Sequence, residues 1–320
     1  MIFSVIIPVF NGSKYVPYAI ESVLSQKGLD RTDFEIIVVN DGSSDDGATF
    51  ESITPYLKEL TYIEKDNGGV SSALNIGILE AQGDYICWLS HDDVFLPNKL
   101  ARQMTLIEEF DSNRVVLFGQ QSFINENGKA IWNNRGLLDL HLGIGKLLKP
   151  KDVFASLVAY GNKLSGCSVV IPKNILIDYV GFFNEDMRYI QDAEMWHRLA
   201  LANCHFYIDD EVVVLSRVHK GQQTGKRLDR YHSESKALHQ YLIANDTFLE
   251  VLKNERIFRK FFVRLVTLKD FECLRSAEIQ NFIIRSKRLK ILSYIDLIVG
   301  LFKGSILLVY RNFIVKLYRT

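Results

Sequence analysis

The sequence predicts an α/β fold, in which helices flank a sheet, followed by a helical C-terminal region. Residues 3–9 and 34–39 are short, almost continuous apolar runs, which are typical of strands buried on both faces of a sheet. Amphipathic patterns separate such runs, and from about residue 226 the pattern is helical and basic. The 320 residues suffice for one large α/β core and a second, smaller unit.

The predicted elements alternate along the chain. After the first strand, Ser13 is a candidate N-cap for a helix whose apolar side chains, from Val16 to Leu24, recur at the spacing of one helical face. The second strand follows, and then a helix over 71–81, a strand over 84–89, a helix over 98–110 and a strand over 114–118. This alternation predicts βαβ units with ligands at the carboxyl ends of the strands. The less periodic residues 125–150 are predicted to form a long loop over the site.

Charge is divided unevenly along the chain. The formal net charge is zero, but residues 251–320 hold 15 Lys and Arg against 5 Asp and Glu, which leaves 23 basic and 33 acidic side chains in residues 1–250. The two parts are therefore expected to face different partners. Four cysteines without CxxC spacing favour a reduced, intracellular protein, and no leader pattern precedes the first strand. The catalytic part is expected to remain in the cytosol.

Asp41 is the first candidate ligand-binding carboxylate. It follows the strand residues 38–40 and precedes Gly42, where it can accept hydrogen bonds from a ligand at the sheet edge. A turn-forming Asp that caps the next helix is the alternative. Asn67–Ser71 has the same ambiguity, because the pair Gly68–Gly69 before a helix forms either a plain turn or a place where backbone approaches phosphate.

The cluster Ser90–His91–Asp92–Asp93 directly follows a predicted strand. Adjacent carboxylates repel each other unless a cation or solvent compensates them, and this end of the strand is where open α/β sheets bind ligands. The cluster therefore predicts a site for a divalent metal ion. An Asp pair that caps the helix after Pro97 is the alternative.

Two further positions carry candidate chemistry. Asp192, at the start of a helical pattern, is a candidate general base, with an N-cap role as the alternative and Glu194 as a competitor for the same role. Trp196 is expected to pack in the core or beside an acceptor. Arg217 and His219 follow the predicted strand 212–215, where a cation and an imidazole could reach a diphosphate, although a lone His is more often structural.

In this order and spacing, these residues resemble the inverting family 2 glycosyltransferases of the GT-A fold. That fold is a Rossmann-like mixed sheet flanked by helices, and the resemblance covers roughly residues 2–223, with a helical, basic region over 224–320. The motifs that carry it are Val5–Asn11, Val39–Asp45, Asn67–Gly77, Gly83–Tyr85, Leu89–Asp93, Gln191–Asp192 with Trp196, and Arg217–His219.

The resemblance implies roles for individual residues. Asp192 corresponds to the catalytic base, Asp41 to the residue that contacts the nucleotide base, and Asp92 to a ligand of Mg²⁺ or Mn²⁺ on the diphosphate. Asp93 and His219 are implied as further metal ligands. The positions implied to contact the nucleotide-sugar donor are Pro8, Val9, Phe10, Asn11, Asp41, Asn67, Gly69, Ser71, Asn75, His91, Asp92 and Arg217.

Three positions depart from the family pattern. Ser90 stands where an acid usually begins the metal motif, Leu74 stands where an Arg is common, and Gln191 stands where a Glu usually precedes the base. The first departure is expected to weaken metal binding or to alter ribose contacts. The second removes a phosphate or base contact that Arg217 or Lys220 could replace. The third removes a negative charge that would raise the pKa of Asp192.

The resemblance implies transfer of a sugar with inversion, from a nucleotide-diphosphate donor such as a UDP-sugar to a hydroxyl of a glycan or lipid-linked acceptor. Cell-envelope polysaccharide assembly is the expected setting, and no nucleic-acid partner is expected. Two alternatives stay open: a non-catalytic nucleotide-sugar-binding scaffold, which the altered metal motif suggests, and a nucleotidyltransferase. The second would require a basic, Gly-rich N-terminal loop, whereas Lys14 is the one base after Val9 in that loop.

The C-terminal stretch 291–318 is apolar but interrupted by Asp296, Lys303 and Arg311. No uncharged run approaches the roughly 20 residues that a transmembrane helix requires. Apolar faces flanked by Lys and Arg instead predict a peripheral position on the anionic inner face of the cell membrane. The alternative is that these helices pack on the catalytic domain or form a homo-oligomer.

Overall fold

A computed structural model describes residues 2–110, 114–133, 143–222 and 228–285. The chain divides into two compact units. The first lies within Met1–Val153 and Asn162–Lys226, and the second within Phe154–Gly161 and Arg227–Thr320. The predicted boundary at residue 223 stays a prediction, and the predicted membrane segment 291–318 lies outside the described residues.

The first unit is built on a sheet with helices on its faces. Its strands are β1 (Phe3–Val9), β2 (Phe34–Asn40), β3 (Thr61–Glu64), β4 (Tyr85–Trp88), β5 (Val94–Phe95), β6 (Val115–Asn125), β7 (Ala130–Asn133), β8 (Leu147–Leu148), β9 (Val170–Pro172) and β10 (His205–Val218). Its helices are α1 (Val16–Leu24), α2 (Ala48–Ile53), α3 (Val70–Glu80), α4 (Lys99–Phe110), α5 (Pro150–Tyr160, shared with the second unit), α6 (Lys173–Ile175) and α7 (Gln191–Leu201).

The sheet is mixed, with strand order β3-β2-β1-β4-β9-β6-β10-β5, while β7 pairs with β6 and β8 with β10. Strand β1 is parallel to both β2 and β4, and β2 is parallel to β3, as βαβ connections require. Strand β9 runs antiparallel between β4 and β6, and β10 runs parallel to β6. The carboxyl ends of β1, β2 and β4 therefore lie along one edge.

Burial explains the strands and helices that line the core. Every residue of β1 is buried, and its side chains Phe3, Val5 and Ile7 belong to the same apolar cluster as Val16 and Ile20 of α1. Helix α3 lies so close to β1 that a Cβ atom at Gly77 would overlap the Ile6 side chain. Glycine, which has no Cβ, permits this approach.

The start of α1 differs from the prediction. The helix begins at Val16, after a turn in which the Gly12 carbonyl accepts the N–H groups of Tyr15 and Val16. No side chain caps this end, so Ser13 was wrong as the N-cap. Pro17, in the first turn of the helix, needs no N–H partner there.

The prediction of a long loop over residues 125–150 was also wrong where the structure describes that stretch. Strand β6 extends to Asn125 and turns back through β7, which pairs with it antiparallel, and β8 pairs with β10. The β6–β7 pair is a local hairpin, whereas β8 pairs with β10 far along the chain, and local periodicity reveals neither pairing.

The second unit is helical, and its remaining helices are α8 (Leu228–Ile243), α9 (Asp246–Leu252), α10 (Glu255–Thr267), α11 (Phe271–Arg275) and α12 (Ala277–Arg285). Asn245, Asn254 and Asp270 cap the starts of α9, α10 and α11 with side-chain oxygens. In the parts of the chain that the structure describes, no helix has both the length and the apolar character to cross a membrane.

Candidate active site

The loops that follow β1, β2 and β4 meet at the sheet edge. Asn11, just after β1, has a left-handed backbone with φ of 50°. Its side-chain oxygen accepts the N–H of Ser44 at 2.7 Å, and its own N–H donates to the Ser43 hydroxyl at 2.9 Å. Pro8 and Val9 are buried in β1 and Phe10 is half-buried, so the predicted donor segment begins inside the core and emerges at Asn11.

Asp41, at the end of β2, organises the loop before α3. Its carboxylate accepts the N–H groups of Gly68 at 2.9 Å and Gly69 at 2.7 Å, and the ammonium of Lys65 lies 2.8 Å from Oδ1. The Asn67 side-chain amide donates to the Asp41 carbonyl at 2.9 Å. The structure thus brings three predicted positions together. Asp41 does not cap the next helix, because α2 follows Gly47 and has no side-chain cap at that position; its carboxylate instead holds the turn before α3.

Asp92 and His219 form a pair that can hold a divalent cation. Their atoms Oδ2 and Nε2 lie 3.0 Å apart, and the side chains are 14% and 13% exposed. Burial alone would raise the pKa of Asp92, but the His219 hydrogen bond and the His91 charge outweigh it, so the pKa lies below its ordinary value. The Tyr15 ring packs on His219 with centroids 4.8 Å apart. One carboxylate and one imidazole, both partly open to solvent, fit Mg²⁺ or Mn²⁺ with additional oxygen ligands.

Asp93 has different hydrogen-bond partners from Asp92. It is buried, accepts the backbone N–H of Arg217 at 2.8 Å and accepts the Ser216 hydroxyl at 3.3 Å. Burial, together with the charge of Asp92, raises the pKa of Asp93 to about 7. The described contacts make Asp93 the link between the β4 loop and the end of β10, and its role as a metal ligand stays a prediction.

Arg217 is also committed to contacts inside the protein. It is 5% exposed, its Nε donates to the Asp92 carbonyl at 3.0 Å, and Nη1 donates to the carbonyls of Asn125 and Glu126. The guanidinium lies 4.8 Å from the centroid of the Tyr15 ring. Its described partners position the Asp92 loop, and the predicted contact with the donor stays a prediction.

The remaining residues of the metal motif pack beneath the site. His91 bonds the Pro8 carbonyl, and burial lowers its pKa. Its ring fills the space next to Gly12, where a Cβ would overlap it. Ser90, which replaces the usual acid, accepts the thiol of Cys167 at 3.2 Å and donates its N–H to the same sulfur at 3.3 Å. Ser90, which departs from the family pattern, therefore has its hydrogen-bond partner in Cys167.

Ser71 and Asn75 tie α3 to the segment before α7. The Ser71 hydroxyl donates to the Met187 carbonyl at 3.0 Å, and the Asn75 amide exchanges hydrogen bonds with the backbone of Phe183 at 2.8 and 2.9 Å. Asn75 also donates to Glu185 at 3.0 Å. Both side chains are buried, so the contact with a donor predicted for them stays a prediction.

Asp192 lies in the first turn of α7 with both carboxylate oxygens hydrogen bonded. Oδ1 accepts the Ala193 N–H at 2.7 Å, and Oδ2 accepts the side-chain amide of Asn162 at 2.8 Å. Burial raises the pKa of Asp192 to about 6, against these two hydrogen bonds, which lower it. A carboxylate with this pKa is ionised at neutral pH and is a much stronger base than an exposed Asp.

The competitor Glu194 is excluded as a base by its own contacts. It is buried and forms a bidentate pair with Arg198, at 2.6 and 2.8 Å. Arg198 also donates to the carbonyls of Val180 and Phe182, which fixes the pair in place. This cationic partner distinguishes Glu194 from Asp192, whose described hydrogen-bond donors are neutral. Trp196 is fully buried against Phe118, as the core alternative predicts.

Comparison with known proteins identifies the family. The sequence profile described as "Glycosyl transferase family 2" matches residues 4–159. The uncharacterized glycosyltransferase RP339 of Rickettsia prowazekii is 34% identical over 227 residues, which cover 71% of this chain and 67% of that protein. The chain belongs to glycosyl transferase family 2. The membership favours sugar transfer over the nucleotidyltransferase alternative.

Other relatives of this chain are longer. An uncharacterized glycosyltransferase of Rickettsia felis is 34% identical over 272 residues, which cover 82% of this chain and 42% of that protein. The minor teichoic acid biosynthesis protein GgaB of Bacillus subtilis is 24% identical over 278 residues, covering 84% of this chain and 29% of GgaB. The chain thus spans less than half the length of these curated relatives.

Solved structures confirm the predicted GT-A fold class of this chain. Staphylococcus aureus TarS 1–349 in complex with UDP aligns with a TM-score of 0.61 and 18% identity, over 94% of this chain and 81% of that one. The same protein with UDP-GlcNAc aligns with a TM-score of 0.64 and 19% identity, over 89% and 79%. At this identity the likeness concerns the fold alone.

Sequence reasoning missed several residues of the glycosyltransferase site. Lys65 contacts Asp41, Tyr15 stacks on His219, Cys167 contacts Ser90, and Asn162 contacts Asp192. None of them lies in a motif with an obvious chemical pattern. For Tyr15, an aromatic residue in the loop after β1 was an available signal. The other three are placed by tertiary contacts that the sequence does not show.

Proposed function

We propose that the protein is an inverting glycosyltransferase that moves a sugar from a UDP-sugar to a hydroxyl of a glycan or lipid-linked acceptor. The observation that carries the proposal is the state of Asp192, a partly buried carboxylate with a pKa of about 6 that no cation neutralises among its described partners. A single base of this kind suits a direct displacement, in which the acceptor oxygen attacks from the face opposite the nucleotide.

The donor end of the site supports a nucleotide diphosphate. Asp41 and the Asn67–Gly69 backbone lie at the end of β2 and before α3, where open α/β sheets bind nucleotides. TarS, which shares the fold, has been solved with UDP and with UDP-GlcNAc. By extension from that fold, uracil is the base that we assign to the donor of this chain.

Asp92 and His219 are the residues that would hold Mg²⁺ or Mn²⁺ in this proposal. When bound, the cation supplies positive charge against the departing diphosphate. The protein's own part is to hold the Asp92 loop in place through Arg217, which donates to the Asp92 carbonyl. A cation between Asp92 and His219 would take the place of the hydrogen bond that joins them. Asp192 takes the proton of the acceptor hydroxyl as the hydroxyl oxygen bonds to the anomeric carbon, while the bond from that carbon to the diphosphate oxygen breaks and the nucleotide diphosphate leaves.

The acceptor is assigned by analogy. GgaB is a minor teichoic acid biosynthesis protein, and it shares 24% identity over most of this chain. A polyol or sugar hydroxyl of an envelope polymer is therefore the acceptor class that we propose. Assembly of such polymers places the enzyme at the inner face of the membrane, and the +10 balance of residues 251–320 supports a peripheral position there.

The test of the function replaces Asp192 with Asn. Asp192→Asn keeps the shape but cannot accept a proton, so transfer from a UDP-sugar should fall by roughly 10²–10⁴-fold, while UDP binding by calorimetry stays unchanged. Asp210→Asn is the matched control, because Asp210 is an exposed carboxylate on β10. Near-normal transfer by Asp192→Asn would remove Asp192 from the role, and an α-configured product from an α-linked donor would refute inversion.

A further inference from the structure

The turn at Asn162–Leu164 faces the helix that carries Asp192. The Asn162 side-chain amide donates from Nδ2 to Asp192 Oδ2 at 2.8 Å, while its Oδ1 accepts the N–H of Leu164 at 2.8 Å. The Leu164 N–H can only donate, so the amide oxygen must face it and the amide nitrogen must face Asp192. The orientation of the amide is therefore fixed by two partners with opposite requirements.

The same turn is held on α7 at a second point. Trp196 Nε1 donates to the Leu164 carbonyl at 3.4 Å, and Trp196 lies one helical turn beyond Asp192 on the same face. The Trp196 ring is fully buried and meets Phe118 edge to face, with centroids 5.0 Å apart. Contacts at Asp192 and at Trp196 thus clamp the turn against the helix, which leaves Asn162 little freedom to move away.

We propose that Asn162 is a positioning residue for Asp192. The Asn162 side-chain amide orients the Asp192 carboxylate and stabilises its ionised form. The proposal rests on the role of Asp192 as the base. Asn162 donates to Oδ2 and the Ala193 N–H to Oδ1, and a carboxylate, with about four lone-pair sites, keeps one for the acceptor proton. A neutral amide lowers the proton affinity less than a guanidinium would, which preserves a useful base.

Other ionisable groups lie on α7 and on the segments next to it. On α7, Glu194 is paired with Arg198, and His197 bonds the Ala193 carbonyl through Nδ1 at 2.7 Å. Lys163, on the facing turn, and Arg188, before the helix, are both exposed. Burial raises the pKa of Asp192, and the hydrogen bonds from the Ala193 N–H, the Asn162 amide and the Asp192 N–H lower it. Removing the Asn162 hydrogen bond should therefore raise the pKa of Asp192 measurably.

The test is Asn162→Ala in the full chain. Asp192 is titrated by NMR in protein with ¹³C-labelled aspartate carboxyls, and sugar transfer is measured from pH 5.5 to 8.5. Without the amide donor, the pKa of Asp192 should rise by roughly one unit. The acid limb of the rate profile should move to higher pH by the same amount, so the loss is roughly threefold near pH 6.5 and small above pH 8.

A second variant covers the case in which Asn162→Ala does not fold. Asn162→Asp is isosteric, but it presents a negative oxygen to Asp192, so it should raise the pKa of Asp192 by more than Asn162→Ala does. Asn245→Ala is the matched control, because Asn245 makes the same kind of side-chain-to-backbone turn in the second unit. It should leave the titration of Asp192 unchanged.

Two results would overturn the proposal. One is an Asp192 titration that is the same in wild type and in a folded Asn162 variant, and the other is a rate loss that is equal at every pH. Failure of the base assignment itself looks different, because transfer by Asp192→Asn would then be near normal whatever the NMR titration shows.

Discussion

The raised pKa of Asp192 makes this carboxylate a stronger base and lowers the stability of the folded protein at neutral pH. Its pKa of about 6 lies above the 3.8 of an exposed Asp, because burial disfavours the ionised form. The folded protein therefore binds more protons at this position than the unfolded chain between those two pH values. The free energy of unfolding falls as pH rises through that window, and the decrease is complete above pH 6.

The Asp192→Asn variant should consequently be more stable than wild type at neutral pH. A shift of about 2 pKa units corresponds to at most about 3 kcal/mol, and some of it is lost to relaxation and solvent. The measurement is urea denaturation at pH 7.5 and at pH 4. The variant should gain stability at pH 7.5 and gain little at pH 4, where the wild-type carboxyl is protonated. A loss of stability at pH 7.5 would contradict the assigned pKa.

At the scale of elements, the second unit depends on a buried pair. His239 on α8 bonds through Nδ1 to Asp270, which caps α11, at 2.7 Å, and the two side chains are 1% and 0% exposed. Burial lowers the pKa of His239, although the bond to Asp270 opposes this. The Phe261 ring lies edge to face with the imidazole, with centroids 5.3 Å apart. The pair therefore joins three helices through one imidazole.

A lowered pKa makes these helices sensitive to acid. The unfolded chain takes up a proton at His239 near pH 6.5, whereas the folded chain takes it up only at lower pH. Stability is therefore lost as pH falls below 6.5. Hydrogen exchange in α8, α10 and α11, corrected for intrinsic rates, should show weaker protection at pH 5.5 than at pH 7.5. His239→Asn keeps a donor for Asp270 but does not titrate, so it should remove this difference. Equal pH dependence in both proteins would refute the explanation.

The elements also show what the sequence can and cannot predict. The starts of β1, β2 and α3 were predicted to within one residue, because buried strands and amphipathic helices carry their pattern locally. The β6–β7 hairpin was not, because residues 125–150 are less periodic, and the pairing of β8 and β9 was not, because their partner strands lie far away in the chain. Asn162 escaped detection for the same reason, since only the fold places it beside Asp192.

At the scale of the whole molecule, charge separates along the chain. Residues 1–250 carry a balance of −10 and residues 251–320 a balance of +10. In the described part of the second unit, Lys253, Arg256 and Lys260 are exposed. Near an anionic surface each such side chain contributes on the order of 1 kcal/mol, and salt screens this contribution. Buried apolar side chains are not screened, so the two contributions can be separated experimentally.

The full-length protein should therefore bind vesicles that contain phosphatidylserine and bind neutral phosphatidylcholine vesicles more weakly. Raising the salt concentration should release only part of it, because apolar insertion of the stretch 291–318 would persist. The triple change Lys253→Glu, Arg256→Glu and Lys260→Glu should weaken binding to the anionic vesicles and leave the neutral background unchanged. Co-sedimentation at two salt concentrations measures both effects. Equal binding to the two kinds of vesicle would contradict the electrostatic contribution, and binding to neither would contradict the membrane assignment.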